Sequence, residues 1–183
     1  MSLVGDSAHR KEEATVLQVV RRLALLTAAP AALLAAPTPA DAAVPVPAAP
    51  PSVVAPRVLM SQVVTMTNRQ RWANGCRRLL TVDQELTVAS VRQSVYMART
   101  GRFSHVWSDG TTFVRRSHLA GYEQPAGENI AWGYRTATEV IEAWMASPRH
   151  RANMLNCGAH SIGTGVVYAA NGVPYYTQVF GWD

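Results

Sequence analysis

The run GENIAWGY, Gly127 to Tyr134, sets a single carboxylate directly ahead of an apolar and aromatic stretch. A polar strand edge alone would be served by glutamine or threonine. A charge held among apolar residues needs a cation or hydrogen-bond donors to replace its lost water. Glu128 is therefore the first candidate for chemistry. The histidines at 105, 118, 150 and 160 lie far from one another, and no HExxH spacing occurs, so only the fold can gather them. Ser104 and Ser147 flank histidines in sequence, but neither sits in a GxSxG elbow. Ser147 before Pro148 reads as a helix N-cap instead. Cys76 and Cys157 lack CxxC spacing, which excludes a zinc ribbon or a thioredoxin-like motif.

These residues must be positioned by the elements around them. Val58 to Trp72 reads as a helix stopped at Asn74-Gly75. Asp83 caps a second helix that ends at Gly101, with Leu86, Ala89, Val95 and Met97 supplying much of its apolar stripe. FSHVWSDG is a loop, followed by a short helical piece from Thr111 to Leu119. Gly121 through Ala131 is extended, and Thr136 or Thr138 starts the helix that carries Val140, Ile141 and Trp144. Pro148 begins another short helix. SIGTGVVYA and VPYYTQVFGW are β-rich runs joined by the turn signal Ala170-Asn171-Gly172. Helices first and a closing hairpin imply an α+β layered domain. Trp107, Trp132, Trp144 and Trp182 are expected in the core, and His118 and His160 on the surface.

Composition separates this unit from its leader. Eight of the eleven prolines fall between Pro30 and Pro56, within a dense set of alanines that cannot build a core. The apolar run Leu23 to Ala36 is short, broken by Pro30, and followed by Ala40-Asp41-Ala42, a signal-peptidase pattern. The reading is a signal peptide over 1–42, a Pro/Ala-rich linker over 43–57 and a folded domain over 58–183. The mature chain would have no membrane span, and Arg21-Arg22 leaves a twin-arginine export route open. In an exported chain two cysteines favour one disulfide; two separate buried thiols would suit a cytosolic protein. From Ala43 onward thirteen arginines face eight acids, with no lysine. Their even spread argues against a specific nucleic-acid site and suits a solvated surface with some affinity for anionic polymers.

FSH, GENIA, WMASPRHRANMLNC and YYTQVFGW, in this order, together resemble the CAP superfamily of cysteine-rich secretory proteins, venom antigens and plant pathogenesis-related proteins, most closely its bacterial secreted branch. The resemblance covers roughly residues 60 to 183. It implies an α-β-α sandwich with a central antiparallel sheet between helices. It also implies a cleft where His105, Glu128 and His150 converge, able to hold a divalent metal such as zinc weakly; Tyr175 and Tyr134 are expected at the rim of such a cleft. It further implies that Cys76 and Cys157 meet. Two positions depart from the eukaryotic pattern: Ser147 stands where a second glutamate is expected, and Tyr175 where a histidine is.

Two imidazoles and a carboxylate make a three-ligand zinc set with one open position. Without metal they can do acid–base work, and they can equally be a structural network fixing helix to sheet. Arg151 and Asn153 are expected to brace the loop beside His150. The functional expectation is a secreted, extracellular binding module for a divalent metal, a lipid or a cell-envelope polymer. The alternatives are a metal-dependent hydrolase acting on peptides or envelope polymers, and an extracellular interaction protein without a small ligand.

Overall fold

A computed structural model describes residues 53–183; the expected leader, its cleavage site and most of the linker lie outside them. The helices are α1 (Pro56–Ala73), α2 (Gln84–Thr100), α3 (Phe113–His118), α4 (Ala137–Ala146) and α5 (Pro148–Met154). The strands are β1 (Thr81–Val82), β2 (Pro125–Trp132), β3 (Ser161–Tyr168) and β4 (Pro174–Gly181). Pro56 opens α1, two residues ahead of the expected boundary, because a proline in the first turn forfeits no helical hydrogen bond. Asp83 caps α2, accepting from the Leu86 amide at 2.8 Å, and Gly101 ends it in the left-handed conformation. Thr136 starts α4 through a reciprocal capping box with Glu139.

The four strands run in the order β1-β3-β4-β2. The three long strands pair antiparallel, as expected, and the two-residue β1 adds a parallel edge to β3. Side chains alternate across β4. Tyr176 and Phe180 pack with Leu59, Val63, Val140, Ile141, Trp144 and Met154 of the α1, α4 and α5 layer. Val179 faces the other way, with Leu86 of α2 and Tyr122. The result is a sheet between two helical layers.

On the second face the close approach depends on two glycines. A Cβ on Gly163 would fall 2.0 Å from the Leu86 carbonyl carbon, and one on Gly165 would fall 2.5 Å from that of Ser90. The bare strand lets α2 lie on β3, where the Ser90 and Ser94 hydroxyls donate to the Gly163 and Gly165 carbonyls at 3.1 and 3.0 Å. The strand at the open edge of the sheet is β2, so the GENIAW residues border both helical layers.

Candidate functional site

Glu128 is buried in β2, and both of its carboxylate oxygens are engaged. Oε1 meets His105 Nδ1 at 2.8 Å, and Oε2 accepts from Arg116 Nη2 at 2.6 Å. Arg116 comes from α3, whose start is set by the Thr112 cap. The Arg116 side chain is 1% exposed, and its Nη1 donates to the His105 and Thr111 carbonyls, both at 3.1 Å. Its guanidinium also stacks over the Trp107 ring. The sequence reading passed over Arg116, since one arginine among many carries no local mark. Arg116 is the buried cation that Glu128 requires.

The backbone around Glu128 is pinned from the other layer. Asn153 Nδ2 on α5 donates to the Glu128 carbonyl at 3.1 Å and to Asn129 Oδ1 at 2.9 Å. Asn129 in turn donates to the His150 carbonyl at 3.1 Å and to Gln178. A Cβ on Gly127 would come within 2.8 Å of Asn153 Oδ1, so the glycine of GEN makes room for this bracket. Asn153 braces the site as expected. Arg151 instead points to Asn74, donating to its Oδ1 at 2.9 Å.

His105 and His150 end in different settings. The His105 side chain is half exposed, held by Glu128 through Nδ1, which leaves Nε2 for a ligand. His150 is half-buried and lines a cleft of about 300 Å³ together with Phe103, Ile130, Trp132, Tyr134, Ala143 and Ser147. Burial lowers its pKa below the ordinary imidazole value, and the neighbouring His105 pushes in the same direction. Its ring makes no hydrogen bond to Glu128 or His105. Among the described residues no group of three or more His, Cys, Asp or Glu side chains is placed to hold a metal. The two imidazoles are neighbours, with Glu128 behind His105 as its hydrogen-bond partner.

Other expectations change here. Ser147 occupies the N-cap of α5, yet its hydroxyl makes no capping bond, and the residue lines the cleft. Ser104 is a loop staple, donating to the Val106 carbonyl and accepting from its amide. Trp144 is fully buried, with its indole N–H on the Ile130 carbonyl at 3.1 Å. Trp132 and Trp182 are exposed rather than core, because each sits at the end of its strand beyond the reach of a covering helix. Tyr175 is the cross-strand partner of Trp132 and stacks on it, so it stands at the rim. His118 is exposed and His160 half-buried. Cys76 and Cys157 form a disulfide that ties the segment after α1 to the loop after α5.

A family model described as the cysteine-rich secretory protein family, CAP, matches residues 64–180. The uncharacterized protein YkwD of Bacillus subtilis (strain 168) is 34% identical over 120 residues, which are 65% of this chain and 45% of that protein. The chain thus spans less than half of that relative's length. Among solved structures, an extracellular protein containing an SCP domain from Bacillus anthracis str. Ames superposes with a TM-score of 0.63 at 26% identity, over 70% of this chain and 41% of that one. A cysteine-rich secretory protein from Staphylococcus aureus subsp. aureus Mu50 gives a TM-score of 0.57 at 21% identity, over 72% and 41%, and supports the fold alone.

Proposed function

The chain belongs to the cysteine-rich secretory protein (CAP) family, and from that premise we propose that it is a secreted binding module whose ligand occupies the cleft at the β2 edge. The observation that carries this reading is the chain of contacts Arg116–Glu128–His105. It neutralises a buried carboxylate and uses the carboxylate's other oxygen to fix an imidazole at the surface. His150, whose neutral form burial favours, lies near that imidazole.

A divalent cation such as zinc would be held by His105 Nε2 and the His150 ring, and it would polarise a ligand oxygen placed against it. With two protein ligands its binding is weak. Glu128 acts on this site as a positioning residue. In the neutral His105 ring it fixes the tautomer with the proton on Nδ1, which leaves the Nε2 lone pair for a ligand. Neither the interaction-protein alternative nor the metal-dependent hydrolase alternative, whose nucleophile would be a metal-bound water, has an observation of its own here.

The test is zinc titration by calorimetry at acidic and neutral pH. Wild type should bind weakly, more tightly as pH rises through the histidine range, because imidazole must be neutral to ligate. His105→Ala and His150→Ala should each abolish the heat. Glu128→Gln should weaken binding by about 10- to 100-fold, the usual effect of losing an orienting partner. Equal heats for wild type and His150→Ala, or heats indifferent to pH, would overturn the metal reading.

A further inference from the structure

Phe103 and Trp132 line this cleft, and Tyr175 stacks on Trp132 beside it, so that three aromatic side chains from three separate elements adjoin. Phe103, in the loop after α2, is 48% exposed, and Trp132, at the end of β2, is 52% exposed. Tyr175, at the start of β4, is half-buried. Ring centroids are 6.5 Å apart from Phe103 to Trp132 and 6.3 Å from Trp132 to Tyr175, the latter pair lying within 20° of parallel. Exposed apolar area gathered in one place is a contact surface in waiting, whereas scattered exposed residues need no explanation. Trp132 also keeps its indole N–H without an acceptor among the described residues, unlike the buried Trp144.

We propose that this aromatic wall is a stacking platform for the sugar rings of a neutral glycan; the proposal rests on the cleft reading above and names its ligand class. A pyranose ring is apolar on the face where its C–H bonds point and polar around its rim. The cleft offers the matching arrangement. Phe103 and Trp132 share the cleft lining with Ser147, whose hydroxyl makes no capping bond, and with His150. An alkyl chain would need a continuous apolar enclosure, and this open cleft is interrupted by Ser147 and His150. A single-stranded nucleic acid would also stack, but it needs cations along its backbone, and no arginine lines the cleft. Tyr175 stands where the resemblance to eukaryotic members leads one to expect a histidine. The ring it brings instead completes the ladder.

The test uses the full chain. A β-1,4-linked N-acetylglucosamine tetramer and a β-1,4-linked glucose tetramer are titrated by calorimetry, with tryptophan fluorescence followed in parallel. At least one should bind saturably. Trp132→Ala and Tyr175→Ala should each weaken it by about tenfold, the scale of one lost aromatic contact. Trp132→Phe should restore most of the affinity, and Trp72→Ala, which removes an exposed indole elsewhere on α1, should leave it unchanged. Should Trp132→Ala fail to fold, Trp132→Leu keeps the apolar bulk without the ring and is expected to lose binding equally. No saturable binding of either tetramer at millimolar concentration overturns the proposal. So does unchanged affinity in Trp132→Leu, or a wall that takes only palmitate or an oligothymidine. Zinc titration of the same proteins separates the two readings. Zinc bound without sugar leaves the cleft standing and removes the glycan. Sugar bound through Trp132 without zinc keeps the platform and removes the metal.

Discussion

Among the described residues two guanidiniums are buried, and their terminal nitrogens are partnered in opposite ways, while the Nε of each has no partner. Arg71, at the end of α1, is fully buried with no carboxylate partner among the described residues. It donates to the Met154 and Asn156 carbonyls at 3.0 and 2.8 Å and to the Ala159 carbonyl at 2.9 Å. Burial without a counter-charge lowers its pKa below the ordinary value. Arg116 has carbonyls of its own, yet it also takes a carboxylate. Burying an arginine therefore does not by itself call for an acid. Arg71 manages with the turns of a loop, so Glu128 is explained by its second oxygen, the one that holds His105. The first corner is a brace and the second is a positioning device.

The largest expected effect falls on the brace. Replacing Cys76 and Cys157 by serine opens a link across a sequence separation of 81 residues beside Arg71. Chain entropy puts the loss at about 4 to 5 kcal/mol, as read from urea denaturation of the oxidised and variant proteins. Zinc and glycan affinities should survive in the folded fraction; their loss would merge the two corners into one unit.

The positioning corner comes next. Arg116→Met leaves Glu128 buried without its cation and should cost about 3 to 5 kcal/mol. Adding Glu128→Leu should recover much of that stability while His105 loses its holder. A double variant as unstable as the single one would show that Arg116 braces the fold in the manner of Arg71. Asn153→Ala probes α5 between the corners, where Met154 receives Arg71 and Asn153 pins Glu128. It should cost about 1 to 2 kcal/mol by leaving Asn129 short of a donor, measured in the same denaturation series.

The smallest effect is a pH dependence at His150. Its folded pKa is depressed, so the unfolded chain binds the proton more readily and stability rises with pH. The contribution is complete above the unfolded value of about 6.5 and is lost as pH falls below it toward the folded value. Wild type should therefore melt at a lower temperature at pH 5 than at pH 7.5, and His150→Gln should flatten that part of the profile. Identical profiles would mean that the ring is better solvated than the cleft implies.

Much of the fold was legible in advance because its signals are local. Asp83, Gly101 and Thr136 mark helix ends through bonds to amides a few residues away, and Asn171-Gly172 turns the closing hairpin through its own backbone. The sequence by itself thus determined the order of the elements except the two-residue β1, their boundaries to within a few residues, and, through its four ordered motifs, the family. It also singled out Glu128 as a charge in need of a partner.

The identity of that partner belonged to the tertiary structure. Arg116 looks like any other arginine in the chain until α3 packs against β2 and buries both charges together. Burial also separated Trp144, under the Ile130 carbonyl, from Trp132 at the open end of the same strand, although both are tryptophans in apolar runs. Ser147 kept its place at a helix start but lost the expected cap bond to a role in the cleft wall. Long-range pairing and desolvation depend on what lies across space from a residue, and neighbours in sequence carry no record of that.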